Sequence, residues 1–550
     1  MACGGPTTSA PGGSGGAVGS ASPSLHACVS TAAPGERPWW ADSVFYEVFV
    51  RSFADSNGDG IGDLRGLIDH LDYLNDGDPS TTNDLGVTAL WLMPVAESPS
   101  YHGYDVTDYE TVESDYGTND DFRELVAAAH GRGIRIVTDL ELNHTSIEHP
   151  WFIDAETPGS EHDAWYRWST TLPAESGPGG RPVWHPLGDR WYYGYFWEGM
   201  PDLNLENPAV TSALDDVART WIEDMGVDGF RLDAARHLIE DGAVQQNTPE
   251  TFDWLRGFRD RVHAVDDDAL VLGEVWDSTS IAAEYVQEGS LDQAFEFDLA
   301  GQMLLALKSG DAGSLQATRA AVGEAYPAGG YATFLSNHDQ DRAFDVVGQD
   351  VAKARQAATL LLTGPGTPVL YYGEEVGLRG RKPDERIRTP LPWDATGPGY
   401  GFTTGTPWEP MADGVESINV AGQTDDPASL LSHYRALIRL RADHPALGGT
   451  AQALSLEASD HAIAATLRHD PVTGSSVVVL SNLSDDAIPN VSVSLADRPL
   501  CGAPTPGVAF STVGMTPPAV GPITIGPTGG FDAWSIGTLG AHQDVVITLD

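Results

Sequence analysis

Between residues 43 and 375 the chain carries a series of short, nearly unbroken apolar runs. They are SVFYEVFV (43–50), TALWLMPV (88–95), IRIVTDL (134–140), GVDGFRLD (226–233), ALVLGEVW (269–276), QAFEFDL (293–299), ATFLSNHD (332–339) and TPVLYYGEE (367–375). Runs without polar alternation suit strands buried on both faces, as in a parallel sheet. Stretches of helical period lie between most of them. In 120–133, Phe122, Leu125, Val126 and Ala129 share one face. In 208–226, Val210, Leu214, Val217, Trp221 and Met225 do the same, and Pro208 suits a first helical turn. Eight β-then-α units predict an α/β fold, a (β/α)8 TIM barrel.

The pattern breaks in three places. Residues 143–206 are rich in Trp, Tyr, Gly and Pro and show no helical period. That is too long for a plain loop and predicts an inserted irregular domain after the third strand. The stretch 428–445 predicts the last barrel helix. Beyond it, alternating runs such as AIAATLRH (462–469) and SSVVVLSNL (475–483) predict a C-terminal antiparallel β-sandwich over 447–550. Residues 1–36, mostly Gly, Ser, Pro and Ala, read as a flexible tether. The barrel therefore spans 37–142 and 207–446, with the insertion at 143–206.

Charge narrows the partners. The 550 residues hold 79 acidic and 30 basic side chains, a formal net charge of -49. Lys308, Lys353 and Lys382 are the only lysines. A phosphate binder needs clustered Lys and Arg, so nucleic acid is not an expected partner, whereas a neutral sugar is compatible. The acidity reads either as solubility through self-repulsion or as adaptation to high salt, where screening relieves that repulsion. No apolar run reaches the length of a membrane-spanning helix. The expected assembly is a monomer. Cys3, Cys28 and Cys501 form no C-x-x-C pair. Cys3 opens a Gly/Ser/Pro stretch like a bacterial lipoprotein start, although no apolar signal segment precedes it. This makes Cys3 a candidate lipid anchor and the cell envelope or exterior the expected location. Cys28 and Cys501 are either a disulfide or two thiols.

In a (β/α)8 barrel, chemistry gathers at the C-terminal ends of the strands. The third run ends with Asp139, Asn143 and His144, and the fourth with Arg231 and Asp233. The fifth ends with Glu274, and the seventh with Asn337, His338 and Asp339. One acid after a strand is ordinarily a helix cap; this set in barrel register is a catalytic pattern. Retaining glycoside hydrolysis needs a carboxylic acid to protonate the leaving oxygen and a carboxylate to attack the anomeric carbon, roughly 5 Å apart. Arg231 and Asp233, two apart, leave the strand on one side, and the guanidinium is expected to hold the Asp233 pKa down. Glu274, buried near Trp276 and other acids, is expected to have a raised pKa. Asp339 can stabilise developing positive charge.

The segments DLELNH (139–144), GFRLDAARH (229–237), GEVWD (273–277) and FLSNHD (334–339) resemble, in order, the four main segments of the α-amylase family, glycoside hydrolase family 13. MPDLN (200–204), GVTALWLMPV (86–95), GTPVLYYGEEVGL (366–378) and YHGYDVTDY (101–109) resemble further family stretches. The resemblance covers about residues 40–445. It implies Asp233 as nucleophile, Glu274 as acid/base and Asp339 as transition-state stabiliser. It also implies that Tyr104 stacks under the sugar before the cut, with His102, His144, Arg231 and His338 hydrogen-bonding there. Arg236 and His237 are implied on the leaving side, and Asp384 with Arg388 at the far edge of the ring. MPDLN and Ala234 resemble α-1,4-acting bacterial amylases between the oligo-1,6-glucosidase and neopullulanase branches. The expected activity is endo-hydrolysis of starch, glycogen or maltodextrins. The alternatives are an α-glucosidase, a cyclomaltodextrinase or a transglycosylase and, from another class, a non-catalytic carbohydrate-binding partner protein. The complete acid triad argues against that last reading.

Two cation sites are expected, both for structural Ca2+. DSNGDGIGD (55–63) offers oxygens at Asp55, Asn57, Asp59, the Ile61 carbonyl and Asp63, in an alternate spacing with glycine turns that suits calcium; a solvated acidic turn is the plainer reading. A second site, at Asn143, Asp202 and the His237 carbonyl, is implied by the family resemblance.

Overall fold

A computed structural model of the chain describes residues 37–549. The tether, the candidate anchor Cys3 and the Cys28 half of the proposed pair lie outside these residues; Cys501 itself is disulfide-bonded. Eight parallel strands close into a barrel: β1 (Phe45–Val48), β2 (Ala89–Leu92), β3 (Arg135–Leu140), β4 (Gly229–Leu232), β5 (Leu270–Gly273), β6 (Gln293–Phe295), β7 (Tyr331–Thr333) and β8 (Thr367–Tyr371). Each pairs in parallel with its sequence neighbours, and β8 closes on β1 with Phe45 opposite Val369. The strands are shorter than the apolar runs. Residues past Phe295 already start the helix Phe297–Ser309, and those past Thr333 form the loop that carries Asp339.

Strand alternation sorts the apolar residues into two cores. Phe45, Ala89, Trp91, Val137, Leu270, Leu272, Phe295, Ala332 and Val369 pack together inside the barrel. The intervening residues, among them Tyr46, Leu90, Ile136, Phe230, Val271, Ala294 and Leu370, pack outward under the helices. The interior row continues in register to Glu47, Asp139, Arg231 and Glu274, so the face that is apolar at the bottom of the barrel becomes polar at the mouth.

The helix Asn119–His130 buries the expected Phe122, Leu125, Val126 and Ala129 behind a Thr118 capping box. The helix Pro208–Thr220 starts at Pro208 under an Asn207 cap and ends in a π-turn, Trp221–Met225. The last barrel helix is Leu430–Asp443. The insertion after β3 is less irregular than its sequence reads. It holds a helix, Pro150–Ala155, and a three-stranded antiparallel sheet of Trp168–Ser169, Arg190–Tyr193 and Trp184–Leu187.

The C-terminal region has a five-stranded sheet and a three-stranded sheet. In the larger sheet Ala464, Val477, Val479 and Val546 join the core shared with the barrel helices. Ile463, Leu467, Val478, Leu480, Val545 and Ile547 face Val491, Val493, Trp534 and Ile536 of the smaller sheet. Strands Ile463–His469 and Ser476–Asn482 are thus buried on both faces. Among the described residues no helix is long and apolar enough to cross a membrane.

Candidate active site

Arg231, fully buried on β4, organises the mouth. Its Nη1 donates to Asp233 Oδ1 at 2.9 Å and to Asp139 Oδ1 at 3.1 Å, and its Nη2 donates to Glu274 Oε2 at 2.7 Å. Asp233 and Glu274 are therefore held side by side on one guanidinium, both largely covered, with side chains 15% and 14% exposed. Asp139 also accepts from Trp91 Nε1 at 3.1 Å and from the Tyr104 hydroxyl at 3.0 Å. Across the mouth, His338 Nε2 lies 3.1 Å from Asp339 Oδ2, and Arg388 Nη2 donates to Asp339 Oδ1 at 3.1 Å and to Asp384 Oδ2 at 3.3 Å. The two halves meet at Tyr104, whose hydroxyl lies 2.7 Å from His338 Nε2 and whose ring stacks on His338 with centroids 5.6 Å apart.

Three acids sharing a covered pocket cannot titrate alike. Burial pushes the Glu274 carboxyl up to about 7; Arg231 opposes this, while the charges of Asp233 and Asp339 add to it. Burial also raises Asp233. Arg231 pulls it down, but Asp139 and Asp339 push with burial and the net direction is upward. The expectation that Arg231 would leave Asp233 with a lowered pKa is thus corrected: the desolvation of a covered carboxylate outweighs one guanidinium already shared among three acids. Asp339 goes the other way. Burial would raise it, but His338, Arg388 and Arg231 together hold it far below the ordinary carboxylate range. His338 loses to burial but gains more from Asp339 and Glu47, and rises to about 10.

The remaining expected residues take these places. His144 Nε2 meets the Tyr104 carbonyl at 3.1 Å, and burial lowers its pKa to about 4. His102 stacks near Tyr104, with centroids 6.0 Å apart, and its Nδ1 accepts from the Tyr104 amide. Arg236 donates to the Trp276 carbonyl and to Asp277, and His237 stacks on Tyr195 with Nδ1 at the Gln245 carbonyl. Trp276 does not bury Glu274 as expected. It is 43% exposed and stacks on Phe297. The sequence reading missed Glu47, which is fully buried and bonds His338 Nδ1 at 2.7 Å. It was visible as the lone charge inside the first apolar run. Asp139 and Trp91 were likewise not assigned the partners they hold.

At the cation sites, Asp55 accepts from the amides of Asn57, Gly58 and Gly60 and from Thr403, while Asp59 accepts from Ile61 N. Asp63 accepts from Ser56 and caps the helix Leu64–Asp69. The carboxylates of this loop are spent largely on its own backbone. Asp266, Asp267 and Asp268 also bring three carboxylates close enough to share an ion. Asp202 differs. It is fully buried, its Oδ2 has no partner, and burial with Glu240 raises its pKa well above normal. Asn143 hydrogen-bonds it, and Tyr195, whose amide bonds Asp202 Oδ1, stacks on His237.

A closed parallel barrel with paired carboxylates around an arginine at its C-terminal mouth defines a glycoside-bond-processing enzyme of the TIM-barrel class. Residues 47–449 match the family description "Alpha amylase, catalytic domain". Alpha-amylase 3 of Dictyoglomus thermophilum is 40% identical over 412 residues, 74% of this chain and 78% of that protein. Trehalose synthase/amylase TreS of Mycolicibacterium smegmatis is 35% identical over 477 residues, 75% of this chain and 78% of that protein. The crystal structure of an α-amylase from H. orenii superposes with a TM-score of 0.79 at 38% identity, covering 92% of this chain and 99% of that one. The chain belongs to the α-amylase family, glycoside hydrolase family 13.

Proposed function

We propose that the protein is a retaining, endo-acting α-1,4-glucan hydrolase, with Asp233 as nucleophile, Glu274 as acid/base and Asp339 as stabiliser of the charged transition state. The observation that carries this is the pairing of Asp233 and Glu274 on Arg231, opposite an Asp339 held ionised by His338 and Arg388. Asp233 attacks the anomeric carbon while Glu274, protonated up to about pH 7, gives its proton to the leaving glycosidic oxygen. Forming the glycosyl ester removes the Asp233 charge, and with it one of the influences raising Glu274. Glu274 then becomes the stronger acid, sits deprotonated, and takes a proton from the water that hydrolyses the ester. The ionised Asp339 faces the positive charge that builds at the sugar ring.

Asp233→Asn and Glu274→Gln are each expected to lower kcat on soluble starch by about 10³–10⁵-fold with little change in melting temperature. Retained hydrolysis by Asp233→Asn sinks the assignment. A second reading, exo-cleavage or glucosyl transfer, is favoured by relatives named probable α-glucosidase from Rhizobium meliloti (33% identity) and probable oligo-1,6-glucosidase 2 from Bacillus subtilis (33% identity) for the first, and by the trehalose synthase/amylase relative for the second. A product time course separates them. Maltooligosaccharides of mixed length support the endo reading; glucose alone from chain ends, or a transfer product, supports the second.

We also propose structural Ca2+ at Asn143, Asp202 and the His237 carbonyl, where the orphaned Asp202 oxygen fits a hard cation, and at the all-oxygen loop Asp55, Asn57, Asp59, Ile61 and Asp63. When bound, the ion would neutralise buried acid and pin the insertion to the barrel. Chelation is expected to lower the melting temperature by several degrees and added Ca2+ to restore it; an unchanged midpoint removes the proposal.

A further inference from the structure

Away from the catalytic mouth, a cavity of about 440 Å3 opens between the inserted region and the helix Pro208–Thr220. Its walls include Tyr109, His149, Trp151 and Trp165, with Glu110 and Asp216 among its acids, and no Lys or Arg lines it. None of the residues assigned to catalysis faces it. Trp151 and Trp165 are half-buried and meet edge to face, with ring centroids 4.8 Å apart, and Tyr109 lies 5.6 Å from Trp151.

Asp216 in this cavity pairs with Arg219 and Asp108 accepts from the Glu110 amide and Thr111, while other polar groups are left open. Neighbouring indoles spend their N–H on carbonyls: Trp168 on Asp163 and Trp221 on Tyr109. The indole N–H groups of Trp151 and Trp165 make no hydrogen bond among the described residues and are not sealed from solvent. The Glu110 carboxylate is exposed and takes no donor among the described residues. His149 accepts the Trp151 amide on Nδ1 at 3.0 Å, which puts its ring proton on Nε2 as a further donor. The cavity therefore combines apolar ring faces with free donors and free acceptors and no positive charge. Anions are excluded by the acids. A pyranose fits, with C–H faces for the rings and hydroxyls for the indole N–H and carboxylate groups.

We propose that this cavity is a second α-glucan-binding site that holds a neighbouring stretch of the polymer while the barrel mouth cleaves. The ligand identity rests on the α-glucan reading above. The site would retain the protein on insoluble polymer without entering the chemistry.

The test measures adsorption of the full-length protein to granular starch beside kcat/KM on a soluble chromogenic maltotrioside. Trp165→Ala is expected to adsorb at least fivefold less than wild type with kcat/KM within twofold. Glu110→Gln, at an exposed position that cannot disturb the core, is expected to adsorb two- to threefold less. Equal adsorption by wild type and both variants overturns the proposal. So does a wild-type tryptophan fluorescence change, lost in Trp165→Ala, that choline produces and maltoheptaose does not; that outcome would make the cavity an aromatic cage for an organic cation. Failure of the catalytic reading is distinguishable, since the wild type would then adsorb without cleaving starch or maltotrioside.

Discussion

The two ends of the barrel use buried arginine in opposite ways. At the mouth, Arg231 is surrounded by carboxylates, and Asp139, Glu274 and Asp233 together push its pKa well above normal although burial opposes them. At the base, where the C-terminal region docks, Arg319, Arg441 and Arg468 are also buried and bond no carboxylate among the described residues. Arg441 donates to the carbonyls of Leu362, Gly364 and Gly366, and Arg468 to those of Thr363 and Gly448. These include the orphan carbonyls that end the helix Val351–Leu362. Burial, the largest influence on each, lowers Arg319 and Arg441 to about 10 and Arg468 to about 9; Asp42 partly offsets it at Arg441, and the charges of Arg441 and Arg319 add to it at Arg468. Crowding carboxylates around the arginine of the mouth, while the arginines of the base hold backbone carbonyls, separates chemistry from stability.

That division can be broken from either end. Arg231→Met is expected to have the largest effect, a fall in kcat/KM on soluble starch of roughly 10²–10³-fold. It should also move the alkaline limb of the pH–rate profile, set near 7 by Glu274 in the wild type, upward, because Arg231 pulls Glu274 down more than His338 does. A limb that stays in place would separate Glu274 from that ionisation. Arg468→Met should do the reverse. Leaving the Thr363 and Gly448 carbonyls buried and unpaired costs roughly 2–4 kcal/mol in stability, read by thermal or urea unfolding, while kcat of the folded enzyme stays at the wild-type value.

The smallest effect is expected at Asp544, also in the docking interface, where it accepts from Thr359 at 2.9 Å. Burial raises its carboxyl to about 6. The folded state then holds a proton the unfolded chain has released, so the stabilisation is complete below the ordinary aspartate range and is lost as pH rises through about 6. Asp544→Asn should flatten the change in melting temperature between pH 5 and 7 and leave the variant no less stable than wild type at pH 8. A wild-type pH dependence would exclude Asp544 as its source.

Much of this architecture could be read from local pattern. The eight apolar runs became β1–β8 in order, the faces of the helices at 119–130 and 208–220 buried as their spacing requires, and the acids after the fourth, fifth and seventh runs met at one mouth. Such features are legible because side-chain alternation and helical period are set by the backbone over a few residues. Other features depended on which distant groups became neighbours and how much water they lost. Glu47 joins His338 across 291 positions, Asp139 takes Arg231, and Trp276 turns outward. The raised Asp233, the lowered Asp339, the carboxylate-free arginines of the base and the open indoles of Trp151 and Trp165 belong to the same group. Desolvation and Coulomb interaction are properties of the folded surroundings, so the sequence names the charged residues and only the tertiary structure decides which charge prevails.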